Sequence, residues 1–322
     1  MLASAFTVDR LWRPPIAAAH VAILMGTKNG AKFLAAQLAS IADQTHADWS
    51  LFVSDDGSTD NTKEIIAHFE RDHPQKILVR AGPEQGVSAN FVSLATDPTI
   101  DADYFAFSDQ DDIWHSDKLE RAIGWLATIP NHIPSLYCGR TELITSDGRS
   151  YGLSLLFSRP PSFKNAIVQN MGGGNTMVFN RAAKKLWEEV GKVDVVLHDW
   201  WLYQLVSATG GAVRYDPQPM LKYRQHGHSL IGSNLGWRAR TARMRMTLSG
   251  RFHAWNTINI AALERVPGHL IEPKNRTVLT LFTRATRASL FKRIMYYRQS
   301  GVYRQSVIDN IAMFIAVIIK KL

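Results

Sequence analysis

Cysteine and long apolar runs are nearly missing from this sequence of 322 residues. With one cysteine, Cys138, the chain can form no intrachain disulfide and no cysteine-based zinc site, and a reducing compartment fits best. The longest apolar run, 311–319, has about half of the roughly 18 residues that a membrane-spanning helix needs. The basic residues Arg10 and Arg13 follow the first apolar residues, which is not the order of a signal peptide. We therefore expect a cytoplasmic protein that is soluble or peripheral to a membrane.

Three common phosphate and nucleophile motifs are also missing. The sequence has no Gly-x-x-x-x-Gly-Lys loop, no Gly-x-Gly-x-x-Gly after its first predicted strand and no Gly-x-Ser-x-Gly turn. The chemistries that depend on those motifs are therefore not favoured. Hydrophobic residues make up 46% and charged residues 20% of the chain, a globular balance that excludes a collagenous, disordered or disulfide-stapled protein.

Acidic residues are scarce in the last part of the chain. Residues 231–322 hold 16 Lys or Arg and three acidic residues, so this part carries +13, whereas residues 1–230 carry −4. So basic a segment favours an anionic partner, such as a lipid surface, a polyphosphate or nucleic acid.

Short apolar runs alternate with helical patterns in the first part of the chain, which predicts βαβ units and a parallel sheet. The predicted strands lie at 21–25, 49–54, 77–79 and 104–108, and the predicted helices at 31–42, 59–71, 87–95 and 117–126. In such sheets, ligands bind beyond the carboxyl ends of the strands. This rule selects three polar segments, 26–29, 55–58 and 108–112.

The rest of the chain is mixed and then helical. Strands are expected at 136–145, 176–179, 213–215 and 220–223, and helices at 182–190 and 199–209. Long helical patterns follow at about 235–257, 276–299 and 303–320. We place a domain boundary near residue 232 and interpret residues 1–19 as a lead-in segment.

The first candidate site is the acidic cluster of Asp109, Asp111 and Asp112 after the fourth predicted strand. Carboxylates alone would repel a nucleotide diphosphate, but a hard divalent cation between them and the phosphates would bind both. The alternative is an acidic loop that caps the helix at Asp117. Spacing alone does not decide between these two interpretations.

Two further segments place carboxylates at the end of a strand or at the start of a helix. In segment 55–58, Asp55 and Asp56 can accept hydrogen bonds from a base or a ribose, or they can cap a helix. In segment 198–201, Asp199 can take a proton from an acceptor hydroxyl while indole faces stack on a sugar. The alternative for Asp199 is an N-cap beside core tryptophans.

The segment 223–228 brings Arg224, His226 and His228 together. Imidazole can complete a metal shell, and arginine can pair with a diphosphate. A lone histidine is usually structural, but two histidines that flank a glycine beside an arginine favour a site somewhat more.

Together these segments resemble the family 2 glycosyltransferases, which have the GT-A fold, over roughly residues 20–230. The resemblance rests on the order and spacing of segments 21–30, 37–45, 53–60, 108–114, 198–200 and 223–226. The form Ser-Asp-Gln-Asp-Asp-Ile-Trp at 108–114 is most similar to the bacterial rhamnosyltransferase-like branch. The implied fold is α/β, with a Rossmann-like, mostly parallel sheet flanked by helices. Residues 20–232 would form the catalytic domain, and residues 233–322 a basic helical C-terminal region.

The resemblance also implies a role for each candidate residue. Asp199 matches the catalytic base. The donor nucleotide would be bound by Thr27, Asn29, Asp55, Asp56 and Gln110. A divalent cation, Mn²⁺ or Mg²⁺, would be held by Asp109, Asp111 and His226, with Asp112 in support. The vicinity of the acceptor and the diphosphate would contain Gly173, Gly174, Asn175, His198, Trp200, Arg224 and His228, although many family members carry Asn in place of His228.

The reaction implied by the resemblance is an inverting sugar transfer. Rhamnose or a related hexose would move from a dTDP- or UDP-sugar to a hydroxyl of a cell-surface glycan or a lipid-linked acceptor. The alternative is a non-catalytic GT-A-like protein that binds nucleotide sugars, or a nucleotidyltransferase. Asp199 discriminates, because a binding module has no need of a carboxylate on the acceptor side.

Two interpretations of the basic region 233–322 stay open. It can be a helical bundle with a solvated basic face, packed on the catalytic domain. It can also be a platform at an anionic membrane surface, with the segment 311–319 and Lys320-Lys321 at the inner face of the cell membrane. No nucleic-acid partner is expected, because no recognised binding motif accompanies the charge.

Overall fold

The structure, a computed structural model, describes residues 19–225 and 251–322. Within these residues, nine strands form one sheet: β1 Val21–Thr27, β2 Trp49–Asp55, β3 Ile77–Ala81, β4 Tyr104–Ser108, β5 Ile113–Trp114, β6 Ser135–Ile144, β7 Ser150–Leu153, β8 Val178–Asn180 and β9 Ala212–Arg224. The helices are α1 Ala31–Ala42, α2 Thr62–Asp72, α3 Val87–Ala95, α4 Lys118–Leu126, α5 Phe163–Ala166, α6 Arg181–Val190, α7 His198–Ala208, α8 Arg251–Glu264, α9 Pro273–Arg287, α10 Leu290–Ser300 and α11 Val307–Ile318.

The sheet is parallel in its first half and mixed in its second. Strands β3, β2, β1 and β4 lie side by side and are parallel, as the alternation of strands and helices predicts. Beyond β4, strand β8 is antiparallel to both β4 and β6, and β9 runs parallel to β6 and antiparallel to β5. Strand β7 is antiparallel to β6 because a tight turn at 145–149 reverses the chain. The expected parallel pairing is therefore present among strands β1 to β4 and between β6 and β9, and the sheet as a whole is mixed.

Strand β1 is buried on both faces, which explains its uninterrupted apolar sequence. Ala22 and Leu24 belong to one apolar cluster, and Ile23 and Met25 belong to a second cluster on the other face. Helices on both faces of the sheet complete these clusters. The carboxyl ends of β1, β2 and β4 are thereby fixed side by side at one edge.

The C-terminal helices share a core with the sheet. Phe252 of α8, Phe282 of α9 and Met313 of α11 are buried in the same cluster as Phe107 of β4. The predicted helix at 276–299 is wrong in one respect, because two helices, α9 and α10, occupy this range. The chain is extended at Ala288, whose carbonyl accepts a hydrogen bond from the Arg293 side chain.

Several predictions lie outside the described residues. These are the lead-in segment up to residue 18, the boundary near residue 232 and the helical pattern up to residue 250. Among residues 19–225 and 251–322, no helix combines the length and the apolar character that crossing a membrane requires.

Candidate active site

The loops after β1 and β2 are joined directly at the carboxyl edge of the sheet. The backbone amide of Asp56 donates to the carbonyl of Thr27 at 2.8 Å, and the hydroxyl of Thr27 donates to Asp55 at 2.9 Å. All three residues are buried. The structure therefore brings together Thr27, Asp55 and Asp56, as the resemblance implies.

Asp55 organises the turn after β2. Its carboxylate accepts hydrogen bonds from the backbone amide and the hydroxyl of Ser58, at 2.9 and 2.5 Å. Burial raises the pKa of Asp55, but the hydrogen bonds from Ser58 and Thr27 outweigh burial and leave the pKa below its ordinary value. Asp55 is therefore ionised and engaged within the turn. Helix α2 begins further along, where Asp60 accepts from Thr62, so Asp55 is not its cap.

Asp56 holds the loop between β3 and α3. Its two carboxylate oxygens accept from the backbone amides of Glu84 and Gly86, at 2.6 and 3.2 Å. Both donors have a positive φ, of 54° and 90°. A Cβ atom on Gly82 would lie 2.8 Å from the carboxylate of Asp56, so this position requires glycine. Asp56 therefore fixes the loop between β3 and α3 next to the carboxyl ends of β1 and β2.

Gln110 and Asn29 fasten the loop after β1. The Gln110 side chain accepts from the amide of Lys28 at 2.9 Å and donates to the carbonyl of the same residue at 3.0 Å. The side chain of Asn29 accepts from the amide of Thr59 at 2.8 Å. Both predicted donor-binding residues therefore lie at the expected edge, where they tie neighbouring loops together.

The acidic cluster has the donor set of a candidate cation site. Asp109, Asp111 and Asp112 each offer a carboxylate oxygen, and these oxygens lie within 4.8 Å of one another. Asp112 is fully buried and accepts from the Asn175 side chain at 2.5 Å and from the amide of Arg224 at 3.3 Å. Asp109 and Asp111 are half-buried, and their role as the ligands of a cation stays a prediction.

Burial and mutual repulsion disfavour the ionised form of the carboxylates in this cluster. Burial, followed by the charges of Asp111 and Asp199, raises the pKa of Asp109 to about 7. Burial also raises the pKa of Asp112 well above its ordinary value, and the charge of Asp109 adds to the effect. Helix α4 does not explain the cluster. Within the described residues, its N-cap Asp117 makes no capping hydrogen bond through its side chain.

Lys118 is a buried part of the site that the sequence analysis missed. Its Nζ atom donates to the carbonyl of Asn175 at 2.7 Å and lies 3.2 Å from the ring centre of Trp114. Burial lowers the pKa of Lys118 well below its ordinary value, against the opposing charges of Asp112 and Asp109. The spacing of buried positions in α4 was the available signal, because Lys118 lies one turn before Ala122 on the buried face.

Asp199 lies in the first turn of α7 and faces the loop before β8. One carboxylate oxygen accepts from the amide of Gly174 at 2.9 Å, and the other accepts from the amide of Trp200 at 2.6 Å. Burial raises the pKa of Asp199 to about 6, although hydrogen bonds from these amides and from Asn170 oppose the shift. The charge of Asp199 raises the pKa of Asp109 in turn. The base candidate and the acidic cluster therefore share one site.

Gly173, Gly174 and Asn175 connect the two carboxylate groups. Gly174 begins a single 3₁₀ turn and donates to Asp199, while the next residue, Asn175, donates to Asp112. The carbonyl of Gly173 accepts from the amide and the hydroxyl of Thr176, which closes the turn. The loop 173–175, which the resemblance places near the acceptor, therefore also connects Asp199 with the acidic cluster.

His198 and Trp200 require a correction, because both belong to the core. His198 stacks on Phe91 with ring centres 4.2 Å apart, and it meets Phe107 edge-on at 4.9 Å. Among the described residues, neither ring nitrogen of His198 has a hydrogen-bond partner, and burial lowers its pKa to about 3. Trp200 is 3% exposed and donates to the carbonyl of Ala166. Its indole face is therefore not open to a sugar, and the place of His198 and Trp200 near the acceptor or the diphosphate stays a prediction.

The side chain of Arg224 holds the acidic loop through a backbone carbonyl. Its guanidinium donates to the backbone carbonyls of Asp111 and Ser146, at 3.0 and 3.1 Å, and lies 4.7 Å from the ring centre of Phe33. A contact with a diphosphate stays a prediction. His226 and His228, the predicted metal ligand and its neighbour, lie outside the described residues.

The half-parallel sheet, the acidic cluster at its edge and the facing carboxylate of Asp199 define a nucleotide-sugar-dependent enzyme of the GT-A fold. The family model "Glycosyl transferase family 2" matches residues 22–187, which is half of the chain, and the chain belongs to this family. It is therefore a glycosyltransferase, as the resemblance in the sequence implies.

Similar proteins agree with this assignment. The chain is 30% identical over 241 residues to the dTDP-rhamnosyl transferase RfbG of Shigella flexneri, covering 68% of this chain and 78% of that protein. It is 32% identical over 163 residues to the UDP-Glc:alpha-D-GlcNAc-diphosphoundecaprenol beta-1,3-glucosyltransferase WfgD of Escherichia coli, covering 50% of this chain and 60% of that protein. The crystal structure of residues 1–349 of Staphylococcus aureus TarS with UDP-GlcNAc has a TM-score of 0.52 at 15% identity, over 88% of this chain and 90% of that one. This likeness shows the GT-A fold.

Proposed function

We propose that this enzyme is an inverting glycosyltransferase that moves rhamnose or a related hexose from a dTDP- or UDP-sugar to a hydroxyl of a glycan or a lipid-linked acceptor. The observation that carries the proposal is the loop at Gly174 and Asn175, which donates hydrogen bonds to Asp199 and to Asp112 and so puts a base candidate and the acidic cluster in one site. The names of RfbG, a dTDP-rhamnosyl transferase, and of WfgD, which acts on a diphosphoundecaprenol acceptor, support the donor and the acceptor class. Polysaccharide biosynthesis is the process that fits both.

The donor set fits a hard divalent cation, Mn²⁺ or Mg²⁺. Carboxylate oxygens are the ligands that such ions prefer. Burial, followed by the charges of Asp111 and Asp199, raises the pKa of Asp109, and a cation would balance that negative charge. Asp109 and Asp111 would hold the ion, and Asp112 would orient their loop through Asn175 and Arg224. When bound, the ion neutralises charge on the departing nucleotide diphosphate.

The chain's own residues supply the remaining steps. Thr27, Asp55 and Asp56 shape the donor pocket at the ends of β1 and β2. Asp199 takes the proton of the acceptor hydroxyl, whose oxygen forms a bond to the anomeric carbon from the face opposite the diphosphate. The bond between the anomeric carbon and the phosphate oxygen breaks, and its electron pair leaves with the nucleotide diphosphate. A single displacement of this kind inverts the configuration.

A panel of donors tests the proposal directly. The full chain is incubated with dTDP-rhamnose, UDP-glucose or UDP-GlcNAc, with Mn²⁺ or with a chelator, and release of the nucleotide diphosphate is measured. We expect one donor to be hydrolysed or transferred with Mn²⁺ only. No turnover of any nucleotide sugar would favour the binding-protein alternative.

Asp199→Asn separates the base from the donor site. We expect transfer to stop while the donor still binds with unchanged affinity in a calorimetric titration, because the amide keeps the shape but cannot accept the proton. Asp194→Asn, five residues upstream and exposed, is the matched control and should keep full activity. A folded Asp199→Asn variant that loses donor binding together with transfer would contradict the role of base.

Asp111→Ala should instead lose the Mn²⁺ dependence of donor binding.

A further inference from the structure

Helix α11 is apolar on both of its faces. Ala312, Met313, Ala316 and Val317 are buried against the protein. On the opposite face, large apolar side chains are exposed at helical spacing, with Val307 75%, Ile311 56%, Ile315 40% and Ile318 44% exposed. A helix that is apolar all round is expected to be covered on every side. The outer face of α11 therefore lacks its covering partner within the described residues.

Helix α10 adds to this surface. Phe291 is 87% exposed and Met295, one turn further, is 43% exposed. The two helices pack against each other, since Arg293 of α10 donates to the carbonyl of Val317 at 3.0 Å and the rings of Tyr297 and Phe314 are 6.2 Å apart. We use "docking face" for the exposed side chains of Phe291, Met295, Val307, Ile311, Ile315 and Ile318.

The positive charge around the docking face favours an anionic partner. Residues 287–322 contain seven Lys or Arg, of which Arg293 is buried, and a single acidic residue, Asp309. Asp309 is engaged with Ser306 at the start of α11. Exposed basic side chains adjoin the apolar ones in the chain, with Lys292 after Phe291 and Lys320 just beyond α11. A second copy of the chain would bring the same positive charge to the docking face. An anionic lipid surface instead offers negatively charged head groups and an apolar interior into which the exposed side chains can insert.

The docking face is also tied to the acceptor side of the active site. The loop between α10 and α11 holds the segment before the glycine loop: Arg304 donates to the carbonyl of Val168 at 3.2 Å, and the amide of Gln305 donates to the side chain of Gln169 at 2.7 Å. The next residue, Asn170, hydrogen-bonds to Asp199. Only a few residues therefore separate the helices that carry the face from the base.

We propose that the docking face binds the surface of an anionic lipid bilayer, with α10 and α11 lying in the interface. Apolar side chains enter the boundary of head groups and acyl chains, while the flanking lysines and arginines contact anionic head groups. Membrane binding itself does not depend on the transfer reaction. Only its purpose, presenting a lipid-linked acceptor to Asp199, rests on the proposed function.

Vesicle flotation with the full chain tests the proposal. The vesicles are of phosphatidylcholine alone or of phosphatidylcholine and phosphatidylglycerol in equal parts. We expect binding to the anionic vesicles only, and a decrease of at least about tenfold for the double variant Phe291→Ser/Ile311→Ser. The matched control Leu78→Ser/Val79→Ser removes two exposed apolar residues from β3, remote in the chain, and should bind like the unsubstituted protein.

Two outcomes would overturn the proposal. One is equal vesicle binding by the Phe291→Ser/Ile311→Ser variant and the unsubstituted chain. The other is a dimer in solution that this variant converts to a monomer without any dependence on anionic lipid, which would assign the face to a second copy. Turnover of a water-soluble donor should be the same in the variant and in the unsubstituted chain. Loss of lipid binding with intact turnover thus distinguishes the docking face from the transfer reaction.

Discussion

The Nζ atom of Lys118 donates a hydrogen bond to the backbone carbonyl of Asn175 at 2.7 Å. The side chain of Asn175 donates to Asp112, and the preceding residue, Gly174, donates to Asp199. One buried lysine therefore connects the acidic cluster with the loop that holds the base candidate. Its positive charge also lowers the pKa of Asp109, against the burial that raises it.

Replacing this lysine should damage both stability and metal binding. In Lys118→Met, the apolar stem stays but the buried charge is lost, so Asp109 and Asp112 lose the cation that offsets their repulsion. We expect the free energy of unfolding to fall by about 3 kcal/mol and Mn²⁺ affinity at neutral pH to fall about tenfold. Denaturant unfolding and Mn²⁺ titration measure the two effects. The exposed Lys185→Met is the control, and unchanged Mn²⁺ binding in Lys118→Met would contradict the proposed charge balance.

The methyl group added by Gly174→Ala should displace the side chain of Asp199. A Cβ atom on Gly174 would lie 2.6 Å from Nε2 of the buried His198 and 3.3 Å from Cβ of Asp199. We expect Gly174→Ala to reduce kcat at least about tenfold and to cost about 2 kcal/mol of stability. Gly124→Ala in α4 is the matched control, because its Cβ would meet no described atom within 4 Å, and it should be neutral or stabilising. Equal kcat values for the two variants would refute the placement of this loop.

Arg224→Lys should weaken the cation site although the charge is kept. The guanidinium reaches the carbonyls of Asp111 and Ser146 together and also covers the ring of Phe33, which a single ammonium cannot reproduce. We expect Mn²⁺-dependent donor affinity to fall about tenfold. Arg214→Lys, an exposed change in the same strand, serves as the control in the same titration. If Arg224→Lys binds the donor as tightly as Arg214→Lys, the guanidinium does not support the acidic loop.

The raised pKa of Asp199 predicts a specific dependence of activity on pH. Burial raises this pKa to about 6, and a base must be deprotonated, so kcat/KM should rise with pH through about 6 and then level off. Stability should change in the opposite sense. Between pH 4 and 6 the folded state keeps a proton that the unfolded state has lost, so the Asp199 contribution to the free energy of unfolding decreases as pH rises.

The pH–rate profile and denaturant unfolding at several pH values check both parts. Asp199→Asn should remove the Asp199 contribution to the pH dependence of unfolding between pH 4 and 6. An acidic limb of kcat/KM centred near pH 4 would contradict a raised pKa of the titrating base.

Local patterns were sufficient for much of the fold. Helices α1 and α3 and strand β4 have the predicted bounds, because each is a short periodic segment with clear ends. Strand β9 was predicted as two pieces, since Pro217 and Pro219 interrupt its pattern. The structure keeps one strand and accommodates the prolines by register shifts against β6 near Gly139 and Arg140.

The sequence predicted those site residues whose position is determined by the sheet topology. It did not predict those whose position depends on side-chain contacts. The rule for the carboxyl ends of parallel strands placed Thr27, Asp56 and Asp109 at one edge. No local signal shows that Lys118 reaches Asn175, 57 residues away in the chain. Similarly, the aromatic neighbours of His198 come from α3 and β4, so its burial depends on packing that the segment 198–201 does not encode.

The doubly apolar α11 has a practical consequence for handling the protein. Without lipid, we expect the exposed isoleucines and Phe291 to promote association between molecules, and we expect the surrounding positive charge to oppose it by repulsion. Salt shortens the range of that repulsion from about 30 Å at 0.01 M to about 10 Å at 0.1 M. Raising the ionic strength to suppress nonspecific binding would therefore remove the barrier to aggregation, and a mild detergent at low ionic strength is the better storage condition.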